Sequence, residues 1–114
     1  MTKPTVSLLI PAYNAESWLS DLLTDAANQT LPFAEIVVYD DASTDQTSEA
    51  AARFAVKVIR GEINRGAGYA RNQLISASTS PWIHFHDADD RLSPNFNEKM
   101  LREVEIGHPA SNLI

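Results

Sequence analysis

The sequence contains no cysteine, which excludes a disulfide framework and any thiolate metal site and fits a reducing compartment. It has no apolar run approaching the roughly 20 residues needed to span a bilayer. Met1-Thr2-Lys3-Pro4 lacks the charged start and long apolar stretch of a signal peptide. These absences set the expectation of a cytoplasmic protein. Docking to the inner face of the cell membrane, through further segments or a partner, stays open. Basic charge is scarce: 9 Lys and Arg stand against 15 Asp and Glu, for a formal net charge of −6. That balance argues against nucleic-acid binding through a general basic surface. There is no Walker loop, no GxGxxG fingerprint, and no Ser/His/Asp or Cys/His nucleophilic set. Internal repeats, low-complexity tracts and linkers are also missing.

What is present is one domain's worth of patterned chain. The 114 residues, 44% of them hydrophobic, suffice for one core with covering helices. Val6-Ser7-Leu8-Leu9-Ile10, stopped by Pro11, reads as a buried parallel strand. A helix follows from about Ala15 to Asn28, with Trp18, Leu19, Leu22, Leu23 and Ala26 as its inner stripe. Gln29-Thr30-Leu31-Pro32 breaks it, and a second strand runs from Glu35 to Tyr39. Ser43 and Gln46 have capping-box spacing and open a predicted helix to about Phe54. Val56 to Ile59 is a third strand. The turn Asn64-Arg65-Gly66-Ala67-Gly68 leads into a helix holding Ala70, Leu74 and Ala77. Trp82 to His86 is the fourth strand. Ser93-Pro94 reads as a cap and first turn for a last helix. Phe96, Met100 and Val104 are its buried stripe, Gly107 and Pro109 its end. Asn112-Leu113-Ile114 reads as the beginning of another strand.

The order βαβαβαβα implies an α/β fold, a parallel sheet flanked by helices on both faces. Ligands in such sheets bind beyond the carboxyl ends of the strands. The polar segments Pro11 to Asn14, Asp40 to Asp45 and Asp87 to Asp90 all fall at those ends, whereas Thr30 to Phe33 and Ser78 to Pro81, at the other end, carry no carboxylate cluster.

Two acidic clusters dominate that edge. Ile36-Val37-Val38-Tyr39 runs into Asp40-Asp41, and Trp82-Ile83-His84-Phe85-His86 runs into Asp87-Ala88-Asp89-Asp90. Carboxylates packed together repel one another, and a divalent cation with oxygen ligands removes that cost. Asp87, Asp89 and Asp90 are therefore candidate ligands for Mn²⁺ or Mg²⁺; the alternative is a solvated turn whose aspartates cap the next helix. Adjacent Asp40 and Asp41 cannot face the same way, so one is suited to hold the loop and the other, Asp41 for preference, to reach a nucleobase N–H or ribose hydroxyls. Tyr13 is placed to stack on a base, or else is a buried Tyr. Asn14 is a loop-fixing residue or a helix N-cap. The Gly-containing loop before the third helix favours phosphate, with Arg71 or Arg65 as its partner. His84 and His86 share one strand face; a metal pair is one reading, and satisfied core or edge histidines the commoner one.

Taken together, these segments resemble family 2 glycosyltransferases with the Rossmann-like GT-A fold. The matching stretches are Val6 to Asn14, Ile36 to Thr47 with Asp40-Asp41-Ala42-Ser43-Thr44-Asp45, Asn64-Arg65-Gly66 with Ala70-Arg71-Asn72, and Phe85 to Asp90. The resemblance implies a nucleotide-diphosphate-sugar donor, UDP-type favoured, bound with Mn²⁺ or Mg²⁺, and transfer to a glycan or lipid-linked acceptor hydroxyl with inversion. It places Pro11, Tyr13 and Asp41 in the nucleoside pocket with Asn14 beside them. Arg71 falls near the diphosphate, and Asp89 and Asp90 with Asp87 in the D-x-D region that meets ribose and metal. It also implies that residues 1–114 are the N-terminal nucleotide-sugar-binding part of an apparently truncated GT-A domain. No general base is identified; Glu98, Asp45 and His86 are the first to try. An uncovered sheet edge sets the further expectation of a homodimer. A non-catalytic nucleotide-sugar-binding or assembly module is the alternative function. A receiver domain would carry its acidic pair after the first strand, and a nucleotidyltransferase a Gly-rich basic loop there; Pro11-Ala12-Tyr13 is neither.

Overall fold

The computed structural model of the chain describes residues 4–105. Its elements are β1 (Val6–Ala12), α1 (Glu16–Ala27), β2 (Glu35–Asp40), α2 (Thr47–Ala51), β3 (Lys57–Arg60), α3 (Ala67–Ala77), β4 (Trp82–Phe85) and α4 (Phe96–Glu105). The four strands form one sheet in the order β3-β2-β1-β4, with every neighbouring pair parallel. The chain builds outward from β1 to β3 and then returns to lay β4 on the other side of β1. The switch point between β1 and β4 is where such sheets open a crevice at their carboxyl ends.

Period-two alternation sorts β1 between two cores. Val6, Leu8, Ile10 and Ala12 face the larger one, with Leu19, Leu22, Leu23 and Ala26 of α1, Ala51 of α2 and Leu101 of α4. Leu9 faces the smaller one, with Val37, Tyr39, Ala70 and Leu74. Helices therefore cover both faces, as the alternation of elements implies. Each fully buried Leu contributes about 2 kcal/mol of hydrophobic burial, so β1 and α1 carry much of the fold.

Several boundaries differ from the sequence reading. β1 does not stop at Pro11 but continues to Ala12. The Leu9 carbonyl accepts the His86 N–H on the β4 side, and the Ala12 carbonyl accepts the Asp41 N–H on the β2 side. Backbone groups alternate sides along a strand, so the Pro11 nitrogen faces the β4 side, past Phe85 where β4 ends. Its missing N–H costs no bond to β2. Trp18 is 52% exposed; it lies about a quarter turn off the row of Leu19, Leu22, Leu23 and Ala26. The capping box at Ser43 and Gln46 does not form. Gln46 caps α2 without a side-chain bond, and the Asp45 carboxylate takes the Thr47 N–H and hydroxyl instead. α4 begins at Phe96 rather than at Pro94. Among its described side chains Asn97 and Leu101 are buried, while Phe96, Met100 and Val104 are half-buried beside them. The readings at Gly107, Pro109 and Asn112-Leu113-Ile114 lie outside the described residues.

Candidate functional site

The carboxyl edge of the sheet is built first by Asp40. Its side chain is fully buried, and a buried carboxylate needs donors. Oδ1 accepts the Ser43 N–H at 2.9 Å, and Oδ2 accepts the Ser48 hydroxyl and Arg60 Nη1, the latter at 3.1 Å. Arg60 also donates to the Ser43 carbonyl at 3.0 Å. Asp40 thus folds the loop after β2 back onto β3.

Asp41 does the same for the loop before α3. Its two oxygens accept the N–H groups of Arg65 and Gly66, each at 2.9 Å. Gly66 has φ 92°, in the left-handed region that only glycine enters freely, and this turns its N–H toward the carboxylate. Asn14, at φ 49°, is not the N-cap of α1; that position belongs to Ala15. The Asn14 Oδ1 accepts the Thr44 N–H at 2.9 Å, and the Asn14 N–H donates to Ser43 Oγ at 2.8 Å. With the Ala15 N–H on Thr47 Oγ1, these bonds lock the loop after β1 to the loop after β2.

Between these loops lies a cleft of about 180 Å³ lined by Pro11, Ala12, Tyr13, Asp41, Ala67, Ala70, Arg71 and Asp87. It brings together residues from all four matching stretches. Tyr13 is 51% exposed, so it is not a core tyrosine and its ring is open to a stacking partner. Arg71 stands 5.9 Å from the Phe85 ring centroid and reaches this cleft. Arg65 instead lies over the Tyr69 ring at 5.0 Å, in a neighbouring depression lined by Tyr39, Ile59 and Gly61 among others.

The second acidic cluster sits at the mouth. Ala88 and Leu92 are buried in the larger core and pin the turn, while Asp87, Asp89 and Asp90 are exposed. The Asp90 N–H closes the turn on the Asp87 carbonyl at 3.1 Å. Oxygens from the three carboxylates come within 4.8 Å of one another. A hard divalent cation takes such oxygen donors and leaves coordination positions for water or phosphate; this donor set fits Mn²⁺ or Mg²⁺. Among the described residues, that convergent group does not include the histidines. His84 and His86 do share a face, with ring nitrogens 3.0 Å apart, and Phe96 packs against both rings.

The first candidates for a base are largely occupied. Glu98 accepts the Thr30 hydroxyl and Arg102, both at 2.7 Å. Burial would raise the Asp45 carboxyl, but its bonds from Thr47 and the Glu16 N–H outweigh burial and hold it low. Neither lines the cleft.

One group of supporting residues escaped the sequence reading. Asp25 in the last turn of α1 pairs with Arg91, whose guanidinium holds that carboxyl below the usual carboxylate range. Gln29 donates to the Asp25 and Ser93 carbonyls and accepts the Asn97 N–H. Asn97 in turn donates to the Leu31 and Pro32 carbonyls. The available signal was an acidic side chain at a helix C-terminus, where the macrodipole disfavours it. No helix among the described residues is long and apolar enough to cross a membrane.

Residues 7–112 match the family model described as Glycosyl transferase family 2. EpsH of Bacillus subtilis, a protein named as a glycosyltransferase, is 38% identical over 107 residues, covering 90% of this chain and 31% of EpsH. The crystal structure of S. aureus TarS 1-349 in complex with UDP-GlcNAc superposes with a TM-score of 0.85 at 30% identity, over 91% of this chain and 32% of that one. The mannosyltransferase PcManGT from Pyrobaculum calidifontis, in complex with GDP-Man and Mn²⁺, gives a TM-score of 0.79 at 25% identity, over 92% and 32%. The chain spans about a third of the length of these relatives.

Proposed function

The chain belongs to glycosyl transferase family 2, and we propose that residues 1–114 are the N-terminal nucleotide-sugar-binding part of a GT-A domain. The proposed activity is transfer of a sugar from a nucleoside diphosphate, UDP-type for preference, to an acceptor hydroxyl. The observation that carries this reading is the convergence of Pro11, Tyr13, Asp41, Arg71 and Asp87 on one cleft at the β1–β4 switch point. Tyr13 offers its open face to the base. Each Asp41 oxygen already accepts one backbone N–H, and a carboxylate oxygen has room for a second donor, such as a ring N–H of uracil. Arg71 pairs with the diphosphate. Asp87, Asp89 and Asp90 hold Mn²⁺ or Mg²⁺, with Asp89 also meeting the ribose. When bound, the cation supplies positive charge against the departing nucleoside diphosphate. Asn14 acts from behind by fixing the loop that carries Tyr13. The acceptor hydroxyl attacks the anomeric carbon with inversion as the bond from that carbon to the nucleoside diphosphate breaks, and the hydroxyl proton passes to a general base outside the residues assigned here. The acceptor is a glycan or lipid-linked sugar in polysaccharide or cell-envelope synthesis, met at the cytoplasmic face of the membrane.

Calorimetry with UDP tests the reading. Binding in Mn²⁺ that weakens strongly on adding chelator supports it, and equal affinity in both conditions removes the cation. A second reading, a nucleotide-sugar-binding module without turnover, is favoured by the placement of Glu98 and Asp45 away from the cleft. Donor and metal bound without hydrolysis or transfer would select it.

A further inference from the structure

We propose that Asp25 is a positioning residue for the carboxylate turn at Asp87–Asp90, acting through Arg91; its link to cation binding rests on the function proposed above. Asp25 sits in the last turn of α1, where the aligned carbonyls oppose a negative charge, and α1 has no basic residue there to offset it. The local sequence therefore disfavours an acid at this place, and the reason for it lies elsewhere in the fold. Arg91 Nε donates to Asp25 Oδ2 at 2.7 Å and a terminal guanidinium nitrogen donates to Oδ1 at 3.0 Å. The Leu92 N–H adds a third bond to Oδ2 at 3.1 Å. This is a two-pronged, charge-assisted grip on a carboxylate only 16% exposed, by an arginine that is itself 66% exposed.

The grip falls on the residue after Asp90. Upstream, the turn is closed by the Asp90 N–H on the Asp87 carbonyl, and His86 Nε2 lies 3.3 Å from the Arg91 carbonyl. Ala88 and Leu92 are anchored in the core. Three convergent carboxylates repel one another, so the turn that gathers them needs restraint from outside. Asp25 provides that restraint from α1. It also keeps the Arg91 guanidinium, the residue next to Asp90 in the chain, bonded to α1.

The test uses Asp25→Asn, Arg91→Gln and their double variant. Asp21→Asn is the control, since Asp21 lies 3.9 Å from Arg91 on an exposed face. The first readout is hydrogen exchange at the Asp90 amide, which does not touch Asp25. The second is Mn²⁺ affinity, followed by electron paramagnetic resonance of the free ion. Residues that support metal ligands change affinity by roughly 10- to 100-fold when altered. Asp25→Asn is expected to speed Asp90 exchange and weaken Mn²⁺ about tenfold. Arg91→Gln is expected to match it, the double variant to add nothing, and Asp21→Asn to change neither readout. Unchanged Asp90 exchange in both Asp25→Asn and Arg91→Gln overturns the clamp. If the parent chain binds no Mn²⁺, the cation reading falls, and Asp90 exchange still decides whether Asp25 positions the turn.

Discussion

The two acidic clusters have the same signature in the sequence and opposite physical states in the fold. Asp40 and Asp41 are buried, and every carboxylate oxygen they carry accepts a hydrogen bond. Asp87, Asp89 and Asp90 are exposed, with oxygens facing one another. The difference comes from the neighbours of the strands that deliver them. β2 is flanked by β1 and β3 and stays paired as far as Asp40 opposite Ala12. Its acids emerge among backbone donors that need partners. Among the described residues, β4 has one strand beside it and loses register after Phe85 opposite Leu9, so its acids leave the sheet early and enter solvent. An acidic cluster after a β-rich run is thus a buried strut in one place and an open group of carboxylates in the other.

That contrast is breakable in steps. The largest effect is expected at Asp40: Asp40→Ala removes a buried acceptor from Ser43, Ser48 and Arg60 and should cost about 3 kcal/mol, read as a lowered urea midpoint. A loss under about 0.5 kcal/mol would erase the distinction between the clusters. Next, Asp41→Ala should weaken UDP binding by about 2 kcal/mol, and Tyr13→Ala by about 1–2 kcal/mol from lost stacking. Calorimetry would show whether both leave Mn²⁺ affinity in place, as residues on the nucleoside side should. Unchanged nucleotide affinity in both variants returns these residues to structural roles. By comparison, Asp89→Asn with Asp90→Asn should leave the urea midpoint within about 0.5 kcal/mol of the parent, while abolishing metal-dependent nucleotide binding. The smallest effect is the acid response of Asp25. Its carboxyl titrates below the ordinary value of 3.8 because Arg91 is bonded to it. The stability it adds is therefore complete above 3.8 and fades as pH falls through the lower folded value. Urea midpoints of the parent and Asp25→Asn should differ at neutral pH and converge in strong acid.

Much of this was legible in the chain. The strand and helix order, the two-faced sheet and the acidic edge follow from periodicity over short windows, where side-chain direction is set by the local backbone. The misses share a cause. Ser43 looked like a helix cap because Gln46 follows at the right spacing, but its hydroxyl is taken by Asn14 from another loop. Pro11 looked like a strand stop because a proline in a central strand forfeits a ladder bond, yet β4 has already ended on that side. Trp18 looked internal because it is large and apolar, and the sheet covers only the adjoining row.

Patterning along the chain dictates the alternating elements, which acids stand at strand ends, and the four matching stretches. The folded arrangement of the sheet puts β4 beside β1, which brings Asp87 into the cleft with Tyr13 and Arg71. Tertiary structure alone paired Asp25 with Arg91, 66 residues apart, and made one acidic cluster buried and the other open. Local patterns fix where a side chain points relative to its own element, whereas charge burial and long-range bonds depend on which elements become neighbours once the core has closed.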